Sequence, residues 1–199
     1  AREVALRALA ARGAQAKSLG DVGSAAELTD EIAAHCPREA SPRVRSMLIG
    51  VALPATGMAT PLACSTLRSA IAEGAFAVEA CHAMASLKAP QAYECIEPML
   101  EHPQSAIRYE AALALTQLAD DPRALPRLRA FVDSMRQPQW QPLVAGQPLP
   151  QARAALQARI DAFDPGTPAN PPKPAAVGRT QWPPADQQRP KPPAPMIRQ

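Results

Sequence analysis

The sequence is poor in aromatic residues, and it has neither a long apolar run nor a basic cluster. Only seven of the 199 residues are Phe, Trp or Tyr. No stretch reaches the roughly 18 to 20 apolar residues that a membrane-spanning helix needs. The formal net charge is only +3, which does not favour nucleic acid or an anionic membrane as a partner. We therefore expect a soluble protein without a membrane span.

The first residue is Ala1 rather than Met, and a helical pattern begins at once. This start indicates a truncated or processed chain. We expect a cytoplasmic protein, with an exported or periplasmic one as the alternative if a signal sequence preceded Ala1. Arg outnumbers Lys seventeen to four, which indicates a GC-rich coding genome and is typical of a bacterial protein.

Motifs for catalysis or for binding metals and cofactors are also missing. There is no Gly-rich phosphate loop, no pair of catalytic carboxylates and no nucleophile elbow, so we expect no catalytic residue, cofactor or metal. Cys81 and His82 could form a nucleophile and its base, but neighbouring helical residues point about 100° apart. The chain also has no C-x-x-C motif. The four cysteines lie in small apolar patterns that favour core positions, with one disulfide or a metal site as alternatives: Cys36, Cys64, Cys81 and Cys95.

Alanine and proline dominate what is present, and proline is unevenly distributed. The chain has 43 Ala and 24 Pro, and residues 165–199 hold eleven of the prolines and no Leu. Alanine buries little area, so the core should be thin and helical. We predict a helical part at 1–136, a linker at 137–150, one more helix at 151–163 and an extended or disordered Pro-rich tail at 164–199.

The helical part contains an internal repeat of about 31 residues. Residues 76–87 align with residues 107–118 at a shift of 31, apolar on apolar, and the segments that follow align at a shift of 32. Earlier copies are more divergent. The four predicted copies are 1–36, 39–73, 75–102 and 105–136.

Each copy divides into two helices at its own start signals. The apolar residues recur at three and four positions, as on one face of a helix. An oxygen-bearing N-cap residue before a proline predicts several helix starts. The start signals are Ser41-Pro42, Thr60-Pro61 and Asp121-Pro122, with capping-box spacing at Ser24 to Glu27.

A single pair of such helices buries too little area to be stable alone, so neighbouring pairs must stack. We predict an all-α fold, a right-handed α-solenoid of about four helical hairpins. Residues 151–163 place four apolar side chains on one face, which suits a capping helix over the last hairpin. These four are Ala152, Leu156, Ile160 and Phe163.

The best-defined copy, residues 105–128, resembles a short HEAT repeat of the type named after phycobiliprotein lyases. It opens with the apolar-Arg pair Ile107-Arg108, continues with an Ala/Leu run and turns at Asp121-Pro122. The resemblance covers about residues 2–136. Ankyrin repeats are the competitor, because Thr60-Pro61-Leu62 matches their opening triplet, but this triplet occurs once.

The resemblance implies a fold more firmly than a function. Similar proteins are mostly scaffolds and adaptors whose second helices line a concave surface. Bilin lyases and an iron-dependent hydroxylase with His-Glu ligand pairs are a minority. None of His35, His82 and His102 is followed by Glu, which argues against such a diiron site. We expect a non-catalytic interaction or scaffold module with protein partners; a bilin-lyase-like or other modifying enzyme is the alternative.

The second helices carry charge that alternates from copy to copy. The third copy has Glu94, Glu97 and Glu101, whereas the second has Arg68 and the fourth has Arg123 and Arg127. One interpretation is a solvated face with ion pairs between repeats. The other is a groove that reads a charged partner, with these six residues as its contacts.

The tail holds a second candidate contact. A basic residue, Arg189, is followed by Pro192 and Pro195, at the spacing with which polyproline helices dock on aromatic grooves. Trp182 has no core to join and could anchor the tail on a partner. The alternatives are a plain spacer and a structural subunit whose tail threads through a larger assembly.

Overall fold

Helices account for most of the computed structural model, which describes residues 2–138 and 140–163. In these residues the first five α-helices are α1 Arg2–Leu19, α2 Val22–His35, α3 Pro42–Met47, α4 Leu53–Thr56 and α5 Pro61–Glu73. The other five are α6 Ala77–Ser86, α7 Ala92–Ile96, α8 Ser105–Leu115, α9 Ala124–Ser134 and α10 Leu149–Phe163. Short 3-10 segments cover Cys36–Arg38, Glu97–Glu101 and Thr116–Leu118.

Two of the proposed start signals cap their helices as expected. The Thr60 hydroxyl accepts from the backbone N–H of Ala63 at 3.2 Å, and the Ser41 hydroxyl accepts from the N–H of Val44 at 3.5 Å. Each satisfies one of the N–H groups that a helix start leaves unpaired, and the following proline has no N–H to satisfy.

The other two start signals were wrong. α2 begins before Ser24, because the Asp21 carboxylate accepts from the N–H of Ser24 at 3.0 Å and caps the helix itself. Asp121 does not cap α9. Its carboxylate accepts from the N–H of Arg123, two residues on, and this local turn delays the helix to Ala124.

The first helix of the second hairpin runs from Pro42 to Thr56 with a π-helical segment, Leu48–Ala52, in its middle. Pro54 lacks the N–H that an α-helix would use at that position. The wider turn absorbs this defect, since the N–H of Leu53 donates to the carbonyl of Leu48, five residues back. Gly57, in the left-handed conformation at φ 69°, ends the helix.

The helices stack in two rows. The first-helix row consists of α1, then α3 with the π segment and α4, then α6 and α8. The second-helix row consists of α2, α5, α7 with its 3-10 continuation, and α9. Within the first row α6 packs on α4 and on α8, and within the second row α2 packs on α5. This stacking is an α-solenoid, as the sequence predicted.

One continuous core runs through the stack. The alanines of α6 and α8 that face it are fully buried, which lets the two helices approach closely. Larger residues fill the seam between the rows. Among them Leu67, Met84, Leu115 and Leu128 are 0 % exposed.

The predicted linker contains structure that the sequence did not indicate. Strands β1 Leu143–Val144 and β2 Gln147–Pro148 pair antiparallel. The turn between them has φ of 50° at Ala145 and 76° at Gly146, the left-handed pair that a tight two-residue hairpin needs. Trp140, in the same segment, is buried against Phe131, with ring centroids 5.3 Å apart.

The capping helix α10 packs on α9 and ends the core. Ala152, Leu156 and Ile160 are buried as expected, but Phe163 is 47 % exposed, so its core assignment was wrong. Phe163 is the last residue of α10. Buried Tyr109 anchors the cap, since its hydroxyl donates to the carbonyl of Ala152 at 3.1 Å.

All four cysteines are free thiols, so the alternative of one disulfide does not hold. Cys36 and Cys81 are core residues, whereas Cys64 and Cys95 are half-buried. Burial raises the pKa of Cys36 to about 11 and that of Cys81 to about 12. It also raises the thiol pKa of Cys64 and Cys95.

Leu115→Asp should unfold the last two hairpins. An unpaired carboxylate in this fully buried position costs several kcal/mol, against a total stability of about 5 to 15 kcal/mol for a domain. We expect a thermal melt to shift down by about 10 °C or more. Leu62→Asp is the control, because Leu62 is 43 % exposed. Equal melts for the two variants would contradict this core assignment.

Alkylation of the native protein should separate the cysteines into two pairs. At pH 8 a thiol with a pKa of about 12 is thiolate in about one molecule in 10,000, and only the thiolate reacts. We expect timed iodoacetamide treatment and peptide mass spectrometry to show modified Cys64 and Cys95 well before Cys36 and Cys81. Denaturant should remove the difference. Early modification of Cys81 in the folded protein would be inconsistent with its burial.

Candidate functional site

Six of the residues proposed as partner contacts lie on the second-helix row. Five of them form what we call the charged ladder: Glu94, Glu97 and Glu101 from the third hairpin, and Arg123 and Arg127 from the fourth. The ladder joins the two hairpins by side chains 26 to 30 positions apart in sequence. The proposed residues therefore contact one another.

Arg123 is the outer link of the ladder. Its Nη1 donates to Glu94 Oε1 at 2.7 Å, and its Nη2 donates to Asp121 Oδ2 at 2.7 Å. The guanidinium also stacks over the Tyr93 ring, with Cζ 4.3 Å from the centroid. Hydrogen bonds from Arg123 lower the pKa of Glu94 and of Asp121, and they raise the pKa of Arg123 itself.

Arg127 is the inner link. Its Nε donates to Glu97 Oε1 at 2.7 Å and its Nη2 donates to Glu101 Oε1 at 2.9 Å. Partial burial lowers the pKa of Arg127, but the hydrogen bonds to Glu101 and Glu97 outweigh it and the net shift is upward. Both arginines stay charged, and the ladder has two guanidinium groups against the three carboxylates of Glu94, Glu97 and Glu101, so it is weakly acidic.

Arg68 is in a different situation. It is exposed on α5, and no ion pair or hydrogen bond engages it within the described residues. It lines a surface cavity of about 250 Å³ between the second and third hairpins, together with Cys64, Pro90 and Gln91. Its positive charge partly offsets the effect of burial on the thiols of Cys64 and Cys95.

The first hairpin contributes acidic side chains to the second-helix row. In the described part of the chain, the exposed carboxylates of Glu27, Asp30 and Glu31 on α2 have no ion-pair partner. Glu31 also lines a groove of about 340 Å³ with an apolar floor that includes Ile32 and Leu48.

A further cavity of about 290 Å³ opens beside the charged ladder. Its lining residues are Leu100, Glu101, Arg108, Arg127, Ala130, Phe131, Ser134 and Trp140. The Arg108 guanidinium lies over the Trp140 ring, with Cζ 4.3 Å from the centroid. Among these three cavities, this one combines two guanidinium groups with a few apolar side chains.

Cys81 and His82 are not arranged as a nucleophile and base. Cys81 is buried with its raised pKa, while His82 Nε2 lies 3.1 Å from Glu110 Oε2. On its other side, Nδ1 lies 3.2 Å from Gln117 Nε2. With the proton on Nε2, His82 donates to Glu110 and accepts from Gln117, which links the third and fourth hairpins along the first-helix row.

Metal sites, membrane spans and the tail contacts were considered as well. No three His, Cys, Asp or Glu side chains of residues 2–138 and 140–163 are grouped to hold a metal ion. None of the helices in those residues has the length and apolarity for a bilayer crossing. The predicted tail contacts lie outside the described residues: Trp182, Arg189, Pro192 and Pro195.

Sequence reasoning missed Arg108 and Trp140 as members of a site. Arg108 was noted only as half of a repeat signature, and Trp140 was assigned to a linker. One signal was available. The chain has only two tryptophans, and tryptophan is the side chain on which a guanidinium stacks best. The two lie 32 positions apart, one repeat length.

Comparison with known protein families gives one match. Residues 65–138, from α5 through α9, match the family model described as HEAT repeats. The subtype named after phycobiliprotein lyases is not distinguished by this match. No curated protein matches the chain, and no solved structure matches it.

HEAT repeats commonly serve as protein-interaction modules, and most of the family is non-enzymatic scaffolding. The match coincides with the hairpins whose repeat is clearest in the sequence and whose helices form the stack described above. Residues 65–138 are therefore HEAT-like repeats within the α-solenoid.

Proposed function

We propose that this protein is a non-catalytic interaction module that binds a protein partner along its second-helix row. The observation that carries the proposal is the charged ladder, which fixes the side chains of two neighbouring hairpins in one arrangement. A surface whose charged groups are already ordered loses little side-chain entropy when a partner binds. Its polarity can then select among partners.

The rest of the row supports the same proposal. The free guanidinium of Arg68 and the free carboxylates of α2 give it charge of both signs at separate places. Residues of this row help to line three cavities, with volumes of about 250, 290 and 340 Å³. Each is large enough to receive a side chain of a partner.

The Pro-rich tail is proposed as a second contact with the partner. The support is its sequence alone, namely Arg189 followed by Pro192 and Pro195, with Trp182 as an anchor. Two linked contacts raise the overall affinity through effective concentration. Deletion of residues 165–199 should therefore weaken partner capture without abolishing it.

Site-specific photo-cross-linking should locate the partner on this row. A benzophenone amino acid at exposed Ser65 on α5 or at exposed Ala130 on α9 should give the same protein adduct in cells. The matched controls are Val51 and Ala106, which are exposed on the first-helix row. Adducts from the controls only, or different adducts from Ser65 and Ala130, would contradict the proposal.

A charge swap should separate binding from stability. Arg127→Glu breaks two ion pairs and should lower both the melting temperature and partner capture. The double variant Glu97→Arg/Arg127→Glu restores an Arg–Glu link with reversed polarity. We expect it to regain the melting temperature but not the capture, which should stay at least about 10-fold below wild type, a difference of about 1.4 kcal/mol. Recovery of both would assign the ladder a purely structural role.

A further inference from the structure

The Arg108 guanidinium has one edge engaged and one edge open. Its Nη1 donates to the carbonyls of His102 at 2.9 Å and Pro103 at 3.2 Å. Neither Nε nor Nη2 has a hydrogen-bond partner within residues 2–138 and 140–163. In those residues the one buried side-chain polar atom without a partner is Nε of Arg45. The free edge of Arg108 is therefore accessible to solvent.

This guanidinium is also held in place. Trp140 stacks against it and is itself packed edge-on against Phe131, so the ring cannot turn away. The two carbonyls hold the opposite side. An arginine fixed in this way loses little further freedom when it binds a ligand, which favours affinity per hydrogen bond formed.

The open edge belongs to a residue that lines the cavity of about 290 Å³. Leu100, Ala130 and Phe131 contribute apolar atoms to a lining that is mostly polar, because Leu100 and Phe131 are almost fully buried. Its volume is at the lower end of the range for ligand pockets, which suits one amino-acid residue better than a large cofactor. The ligand should therefore combine a hydrogen-bond acceptor with a small apolar body.

The charge balance limits the acceptor to a single negative charge. Arg127 lines the same cavity, but its Nε and Nη2 are occupied by Glu97 and Glu101. Glu101 also lines the cavity and would repel a dianion. One free Nε/Nη2 edge matches the two oxygens of a carboxylate in a bidentate pair, whereas phosphate groups are typically bound by clusters of arginines.

We propose that this cavity binds a carboxylate carried on an apolar residue of the protein partner, with the open edge of Arg108 as its anchor. The inference rests on the proposed function, because the cavity lies beside the charged ladder of the second-helix row. The carboxylate could be the C-terminus of the partner or an Asp or Glu side chain beside an apolar residue. Both present the same group to Arg108.

Nuclear magnetic resonance of the full 199-residue chain tests the chemistry with small probes. N-acetyl-leucine should shift the Arg108 Nε–H and Trp140 indole signals with millimolar affinity. The two indole signals are assigned with Trp182→Phe. N-acetyl-leucinamide, which lacks the carboxylate, should bind at least about 10-fold more weakly. Equal shifts from both probes, or none from either, would overturn the proposal.

Variants test the anchor. Arg108→Gln should abolish the response of the indole signal, and Arg108→Lys, which keeps the charge but not the bidentate edge, should weaken binding at least about fivefold. Arg136→Gln is the matched control, because Arg136 is an exposed arginine just after α9 with only a 3.8 Å contact to Asp133. Unchanged affinity in Arg108→Gln, in a variant whose melt shows it folded, contradicts the assignment. Equal loss in Arg136→Gln contradicts it as well.

Peptides then distinguish the two sources of the carboxylate. One peptide ends in a free Leu carboxylate; the other is amidated and carries an internal Glu beside Leu. Tighter binding of either one supports the site and identifies the source, and binding no tighter than an amidated, Glu-free peptide overturns it. If the probes do not bind but Ser65 and Ala130 still give cross-linked adducts, the carboxylate site is contradicted and the proposed interaction function is not. If the probes bind but neither Ser65 nor Ala130 gives a cross-linked adduct, the proposed protein-interaction function is contradicted and the carboxylate site is not.

Discussion

The fold depends on burial between neighbouring hairpins, because no hairpin here carries enough apolar area to be stable by itself. The alanines of α6 and α8 permit close contact, but each buries little surface. The missing area comes from contact between neighbours in the row: α4 packs between α1 and α6, and α6 packs between α4 and α8. Leu115 and Met84 fill the space that the alanines leave. Stability is therefore a property of the stack, and loss of one seam affects the units on both sides.

Polar links between repeats set the register of this apolar stack. Ser86 contacts Gln117, and Lys88 pairs with Asp120, across spacings of 31 and 32 residues. The charged ladder does the same on the second-helix row. The apolar seam alone would tolerate some sliding, whereas ion pairs hold only at one register. The same pairing holds the ladder in the one arrangement that we propose a partner reads. Beside it, Arg68, the α2 carboxylates and one edge of Arg108 are left free within the described residues.

The sequence predicted the features that short-range chemistry determines. Thr60 and Ser41 were found because an N-cap needs only a hydroxyl at a fixed distance along the chain. The π segment was not predicted because Pro54, which causes it, lies after the segment in the chain. The charges of the ladder were identified, but their positions in sequence did not decide between pairing and display. That choice depends on side-chain torsions and on how far apart the second helices lie, and neither is encoded in a repeat pattern.

Trp140 connects the end of the solenoid to its candidate binding chemistry. It packs on Phe131 of α9 and lies against Arg108 of α8, while Tyr109, the next residue, holds the cap through the carbonyl of Ala152. The segment that closes the apolar core therefore also forms one wall of the cavity beside the ladder. A cap made only of α10 would cover the last hairpin, but it would leave the Arg108 guanidinium held by the carbonyls of His102 and Pro103 alone. Because the β1–β2 segment leads from Trp140 to the cap, the geometry of the cavity and the stability of the C-terminal end are physically coupled.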